Sequence, residues 1–333
     1  MNSRLGWGIV GTGQIATQQI GPAIEQVPNS VLRHVASRDQ DRAPAFATRF
    51  GGASATTSYA QMLADPHVDA VYIATPNSMH ADQAIAAARA GKHVMCDRPL
   101  ATSVEDARRV VDACAEAGVG LGVMFQSRCY GGMALVRQLI AENQIGPVVT
   151  AHAEISTGRT LLKGWRTDAA YAGVGTLNNL GVHMFDLLGY LLNSEVVEVA
   201  AMLSSEPGFV LDTTALALLR FASGALVTVH ANQTVFGPRP DLVIYGTQGR
   251  IVGTNVTRAG LSGTIAVVRD GGEQTEQPVS SDGAFATTIE QFADAVMHGR
   301  DPSPSGVDGL TSVALTQALS QAASERRTVK TNT

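Results

Sequence analysis

The segment Gly6-Trp-Gly-Ile-Val-Gly11-Thr-Gly13-Gln-Ile-Ala16 constrains the fold of this chain more than any other, because it reads as a buried strand running straight into a glycine turn and a helix. In such a turn the first glycine permits the tight bend, the second lets the backbone approach a phosphate, and small Ala16 lets the helix pack on the strand. Amide groups at a helix start point at whatever lies in front of them, and the helix dipole favours negative charge there. Gly11, Thr12, Gly13, Gln14 and Ile15 are therefore expected to cradle the pyrophosphate of a dinucleotide. A plain strand-to-helix turn is the alternative. A second strand expected over Val31 to Ser37 supplies the βαβ context that favours the nucleotide.

From Leu5 to about Met124 short apolar runs alternate with Ala-rich amphipathic segments. The runs are Val31 to Ser37, Asp69 to Ile73, His93 to Cys96 and Val119 to Val123; the helices are expected over Asp39 to Phe50, Met79 to Ala90 and Val104 to Ala117. This alternation predicts a doubly wound parallel sheet of Rossmann type, with Gly91 and Gly118 closing two of the helices. Beyond Phe125 the texture changes. A helix over Met133 to Glu142, a strand near Val148 to Ile155 and a helix near Thr176 to Leu192 precede six β-type runs between Val196 and Val268. Two helices, Ala286 to Met297 and Val307 to Ser324, follow. At 333 residues the chain exceeds what one core usually holds. The expectation is an α/β protein of two domains: a Rossmann domain over 1–124, and an α/β domain over 125–333 with a large open mixed or antiparallel sheet.

A net charge of −5 without a Lys/Arg stripe gives nucleic acid or an acidic membrane little to hold. No apolar run is long enough to cross a bilayer, no signal-peptide pattern precedes the first strand, and three scattered cysteines resemble neither a disulfide framework nor a metal site. A cytoplasmic protein with a small-molecule partner and no metal is expected.

The end of the second strand selects between nucleotides. Asp or Glu there suits the ribose hydroxyls of NAD, whereas a basic residue suits the 2′-phosphate of NADP. The strand ends Ala36-Ser37-Arg38, with Arg42 one helical turn further on. Ser37 can donate to a phosphate oxygen, and Arg38 and Arg42 can pair with it. NADP(H) is favoured over NAD(H), although Asp39 could face the ribose and both arginines could be solvated helix-start charges.

The run Tyr72-Ile-Ala-Thr75-Pro76-Asn77-Ser-Met-His80, the run Ala90-Gly-Lys-His-Val-Met-Cys-Asp97-Arg98-Pro99-Leu, and the downstream Gly164-Trp165-Arg166 and Gly173-Val-Gly175-Thr-Leu-Asn-Asn179-Leu-Gly-Val-His183-Met-Phe-Asp186 together resemble the Gfo/Idh/MocA family of nicotinamide-dependent oxidoreductases. The likeness spans the chain and is nearest to the family's NADPH-dependent sugar reductases. It implies a Rossmann domain followed by an α/β domain whose open sheet often joins subunits, so a homo-oligomer is expected, with the active site between the domains. It places Thr75, Pro76, Asn77, His80 and Asp97 near the nicotinamide, with Trp165 and Arg166 reaching the cofactor from the second domain.

By the same resemblance, carbonyl reduction falls to a Lys, an Asp and a His, and this chain keeps only the histidine, His183. Arg98 stands where the family carries Lys, and Asn179 where it carries Asp. Arginine stays protonated, so Arg98 can stabilise an alkoxide but cannot shuttle a proton. Histidine, with an ordinary pKa near 6.5, suits acid–base work at neutral pH. Asn179 and His183, four residues apart, share one helical face. Met124 and Phe285 replace an Asn and a Tyr of related sugar reductases, which implies a less polar pocket, for either a less hydroxylated substrate or an anionic one clamped by Arg98. Three functions stay open: an NADP(H)-dependent oxidoreductase of a small, sugar-derived or similar carbonyl or hydroxyl compound; an NADP(H)-binding sensor or assembly partner that has lost hydride transfer; and an altered NADP-dependent chemistry such as imine reduction, against which the fixed cation of Arg98 weighs because it would disfavour an iminium.

Overall fold

The computed structural model describes residues 4–235, 241–269 and 271–331. The chain divides into two compact units, one of Met1–Met124 with Phe285–Leu310, the other of Phe125–Ala284 with Thr311–Thr333.

Six strands build the sheet of the first unit: β1 Leu5–Val10, β2 Ser30–Ala36, β3 Ser54–Thr56, β4 Ala70–Ile73, β5 His93–Cys96 and β6 Leu121–Val123. Their order is β3-β2-β1-β4-β5-β6, and every pairing is parallel. All residues of β1 are buried, as a central strand covered by helices on both faces must be. Winding reverses between β1 and β4, so the crevice beyond their carboxyl ends is the switch point where a doubly wound sheet takes its ligand. The helices Arg42–Arg49, His80–Arg89 and Val104–Ala117 supply crossovers. Ser103 caps the last of these by accepting the Asp106 N–H, and Gly118 ends it with φ +65°.

The sequence reading assigns all of 125–333 to the second domain, whereas the structure gives Phe285–Leu310 to the first. The reason is packing. In the helix Ala284–Met297, Ile289, Phe292, Ala293 and Val296 are buried in the same cluster as Trp7 and Met95. The rings of Trp7 and Phe292 lie 5.3 Å apart. Glycines 120 and 122 make room, since a Cβ at either would lie 2.7 Å from Val296 or Phe292. Fully burying each such side chain contributes about 1.5–3 kcal/mol.

Among its described residues the second unit carries nine strands: β7 Val148–Ser156, β8 Val196–Ser204, β9 Thr214–Phe221, β10 Leu226–Asn232, β11 Leu242–Gly246, β12 Gly249–Thr254, β13 Ser262–Arg269, β14 Gln274–Ser280 and β15 Val329–Lys330. They are ordered β14-β13-β12-β11-β7-β10-β9-β8-β15. Only the β7–β10 pairing is parallel, so the sheet is mixed. Along β9 the buried residues Ala215, Ala217, Leu219 and Phe221 alternate with exposed Leu216, Leu218 and Arg220. The inward set shares a core with Met184, Phe185, Leu187, Leu188 and Leu191 of the helix Val182–Leu192. The outward face is apolar too: Met202 is 77% exposed, Leu218 57%, Leu216 50% and Leu226 48%. Among the described residues, no helix is long and apolar enough to cross a membrane.

Candidate active site

In the first unit the glycine turn sits where β1 meets its helix. Gly11 has φ +93°, and a Cβ there would lie 2.7 Å from the Ala74 carbonyl oxygen at the end of β4. Gly13 differs: a Cβ there would meet nothing within 4 Å. The first glycine is required by the protein's own backbone, whereas the second leaves open space in front of a helix start. That is the fit a pyrophosphate needs. Thr12, Gln14 and Ile15 flank this opening, with Gln14 bonded to Gln18 on the exposed side. The helix that follows contains a π-turn over Ala16–Ile20, in which the Gly21 N–H donates to the Ala16 carbonyl. Pro22, at the start of the next segment, has no N–H to continue an ordinary ladder, which accounts for the wider turn.

At the end of β2, the Thr12 hydroxyl donates to Ser37 Oγ at 3.1 Å, tying the glycine turn to the second strand. Arg42 pairs with Asp39 at 3.2 Å, both side chains exposed, while Asp39 Oδ1 also accepts the N–H groups of Asp41 and Arg42. Arg38 is exposed and holds no ion pair among the described residues. Of the two arginines, Arg38 is the one whose charge the protein leaves uncommitted.

The Thr75–His80 loop is fixed from below. Thr75 Oγ1 donates to Gln83 Oε1 at 2.6 Å, and the Gln83 carbonyl accepts the Tyr59 hydroxyl at 2.8 Å. Pro76 and Asn77 begin a short 3₁₀ turn, Asn77–Met79, in which Asn77 is buried. His80 is buried, with Nδ1 at 2.7 Å from the Pro99 carbonyl and Nε2 at 2.9 Å from that of Thr75. Burial holds its pKa below the ordinary value, against the opposing pull of both carbonyls and of Asp97. Its ring lies between the Thr75 loop and the loop carrying Arg98, both nitrogens facing main-chain carbonyls, so the neutral ring donates to one of the two. Asp97 is buried, and its Oδ1 accepts the Arg98 N–H at 2.9 Å. Met124 is fully buried in the apolar core of this unit, and Phe285 packs against that core. Both are explained by packing alone.

In the second unit the helix bearing Asn179 and His183 begins under a remote cap. The Asp212 carboxylate accepts the N–H groups of Gly175 at 2.8 Å, Thr176 at 2.7 Å and Leu177 at 3.3 Å. Burial pushes its pKa up although those amides draw it down. The first turns, Leu177–Gly181, are π-helical and pass into the α-helix at Val182. Asn179 lies in the wide turn and His183 in the helix after it, 1% and 4% exposed. Asn179 Nδ2 donates to Gln233 Oε1 at 3.1 Å. One turn beyond His183, Asp186 accepts Nε and a terminal nitrogen of Arg128 at 2.8 and 2.5 Å. The Arg128 guanidinium lies 5.0 Å from the Tyr190 ring centre, and that of Arg137 lies 4.2 Å from it. Trp165 and Arg166, on a 3₁₀ turn, stack as cation and ring at 4.4 Å, and both are half-buried rather than core.

Four contributors escape sequence reading: Gln83, Arg128, Asp212 and Gln233. Each acts on a residue distant in sequence, except that Asp186 offers a signal for Arg128, being a lone charge in an otherwise apolar helix.

Residues 5–125 match the model of an oxidoreductase family with an NAD-binding Rossmann fold, and residues 133–252 match that of the Gfo/Idh/MocA C-terminal domain. The chain is 33% identical to a 1,5-anhydro-D-fructose reductase of Ensifer adhaerens, over 95% of this chain and 96% of the relative. It superimposes on levoglucosan dehydrogenase bound to NADH and levoglucosan with a TM-score of 0.89, at 25% identity over 99% and 100% of the two chains. It superimposes on a 3-ketoreductase of Actinomadura kijaniata bound to NADP and TDP-benzene with a TM-score of 0.86, at 26% identity over 96% and 98%. With both halves matched and an extended likeness of this degree, the chain belongs to the Gfo/Idh/MocA family of oxidoreductases.

Proposed function

We propose that the chain moves hydride between NADP(H) and a carbonyl or hydroxyl group of a small, sugar-derived substrate. The observation that carries this reading is a glycine turn left open at Gly13 in a chain that also keeps a buried His183 on the family's second-domain helix. When bound, the nicotinamide supplies the hydride in reduction and takes it up in oxidation. His183 gives a proton to the substrate oxygen in one direction and removes it in the other. Arg98 donates hydrogen bonds to that oxygen as negative charge develops, and its permanent charge bars it from proton transfer. Trp165 and Arg166 approach the cofactor as a stacked pair, while Thr75, Pro76, Asn77 and Asp97 frame its nicotinamide end and His80 lies between their loops.

Relatives carry either NADH or NADP. The choice of NADP(H) here is supported by uncommitted Arg38 beside Ser37, with Arg42 as a nearby cation once it leaves Asp39. Charge-assisted pairs of this kind contribute about 1.5–3 kcal/mol. Arg38→Ala is therefore expected to weaken NADPH binding about ten- to hundredfold and NADH binding little, read by nicotinamide fluorescence titration. Equal weakening of both would overturn the 2′-phosphate assignment.

Replacement of the family Lys by Arg98 supports a second reading, a binder that has lost hydride transfer. NADPH consumption with a panel of ketoses, dicarbonyls and cyclic ketones separates the two. Turnover supports the enzyme, whereas binding without turnover, restored by Arg98→Lys, supports the binder. The outward apolar face around Met202, Leu216, Leu218 and Leu226 supports assembly with a second copy of the chain. Leu218→Glu with Met202→Glu should shift the sedimentation coefficient to that of a single chain, and an unchanged value would exclude this face as the interface.

A further inference from the structure

The helical stretch that carries Asn179 and His183 starts without a cap of its own. Its first main-chain bond runs from the Asn179 N–H to the Gly175 carbonyl at 3.0 Å, which puts a residue with no side chain in the cap position. The acceptor comes from Asp212, 37 positions later. One carboxylate oxygen takes the Gly175 N–H, and the other takes those of Thr176 and Leu177. The Asp212 carbonyl adds a second hold, accepting the Thr176 N–H and hydroxyl, each at 3.0 Å. Glycine at 175 is what permits this approach, since a Cβ there would lie 2.1 Å from that carbonyl oxygen. Asp212 is itself tied to the sheet through the next residue. Thr213 donates its N–H to the Ser204 carbonyl at the end of β8 and accepts the N–H of Gln233 just beyond β10, both at 2.9 Å.

Between this anchor and His183 lies the wide turn Leu177–Gly181. A π-turn takes one residue more than an α-turn, and such turns are rare and concentrate at functional sites. Relaxing it to α-helical register would rotate Thr176 and the residues before it by about 100° relative to His183. The far end cannot yield, because Met184, Leu187, Leu188 and Leu191 are buried in the core. The near end is held by Asp212. We propose that Asp212 is a positioning residue for His183: by fixing the helix start on the sheet it preserves the wide turn, and with it the placement of the imidazole. The inference rests on the reading of His183 as the acid–base group. Three amide donors converge on two oxygens, so a carboxylate fits, whereas a carboxamide satisfies one side and turns N–H groups toward the other.

Two measurements test this, the first independent of turnover. In Asp212→Ala, hydrogen exchange of the 175–182 amides should quicken about tenfold, and the two-bond ¹H–¹⁵N signals of the His183 ring, assigned with His183→Gln, should move, while β9 and β10 keep their protection. Asp212→Asn should fall between this variant and the natural chain, and carries the same readouts if Asp212→Ala does not fold. Leu219→Ala truncates the buried core of the same unit and is the control for lost stability alone, so it should leave the ring signals in place. The second measurement is steady-state reduction by NADPH of the ketoses, dicarbonyls and cyclic ketones named above, well below the melting temperature of each variant. On the fastest of these, kcat should fall about ten- to hundredfold in Asp212→Ala, less in Asp212→Asn, and stay near that of the natural chain in Leu219→Ala, with the NADPH dissociation constant unchanged throughout. Ring signals that stay put in the Asp212 variants, or losses of kcat no greater than that of Leu219→Ala, overturn the assignment. If the natural chain reduces none of these compounds, hydride transfer falls, and the exchange and ring signals still decide the role of Asp212.

Discussion

Replacing His183 with alanine is expected to lower kcat about 10²–10⁴-fold with NADPH affinity unchanged. The cofactor contacts proposed above, Gly11, Gly13, Ser37 and Arg38, all belong to the first unit, so on that proposal truncation at His183 removes the proton donor and no nucleotide contact. The helix itself should survive. Its N-terminus is held by Asp212, and its apolar stripe through Met184, Leu187, Leu188 and Leu191 is untouched. With Arg98 permanently charged and Asn179 neutral, neither side chain can take over a proton, so residual activity should be small. Direction gives a further check. Oxidation and reduction should fall together, because the same imidazole takes the proton in one direction and gives it in the other. Steady-state rates in both directions and fluorescence titration of NADPH test this together. An unchanged rate, or equal loss of rate and cofactor affinity, would remove the role assigned to His183.

Arg128→Met should destabilise the second unit by about 3–5 kcal/mol. Asp186 has a side chain only 1% exposed and Arg128 one of 11%, joined by two short hydrogen bonds. Removing the guanidinium leaves a buried carboxylate without its bidentate cation, and also removes a cation from the Tyr190 ring. The expected fall in melting temperature is on the order of 10 °C for a unit of this size. The double variant Arg128→Met with Asp186→Leu should recover most of the loss, because an apolar pair of similar volume carries no desolvation penalty. Calorimetric unfolding of the three variants decides the matter. Additive losses would show that the two side chains act independently.

Much of this was readable in advance, and the reasons differ by element. Strand β11, an apolar run ending at Gly246, and the amphipathic helix Val104–Ala117, closed by Gly118, are cases where local chemistry and tertiary packing agree. Strand β14 is not legible, because its sequence Gln-Thr-Glu-Gln-Pro-Val-Ser is polar, nearly all exposed and carries Pro278. As the edge of its sheet it needs only one partner and no apolar face. The π-turns at Ala16 and Leu177 leave no periodicity signal within so few residues. Among site residues, Arg98, Asn179 and His183 stand out through motif spacing. Gln233 does not, since its link to Asn179 spans 54 positions and rests on how a β10 strand end happens to meet a helix start. His80 shows the converse: its motif is plain, yet only coordinates reveal that both ring nitrogens face main-chain carbonyls.

The interrupted make-up of the first unit has a consequence for how the protein is born. Trp7 leaves the ribosome early and its ring partner Phe292 comes 285 positions later, a delay of roughly 15–60 s at ordinary translation speed. Through that interval the first unit lacks the helix that packs on Gly120 and Gly122 of its sheet edge, with Phe125–Ala284 of the second unit emerging before that helix and Thr311–Thr333 after it. Vectorial synthesis thus favours completion of the later-emerging unit's core almost in step with the earlier one, and a chaperone would meet this chain at the uncovered Trp7. For the same reason a fragment ending at Met124 should aggregate when expressed alone, and a transplant of cofactor preference into another protein must carry Phe285–Leu310 along with the amino-terminal segment.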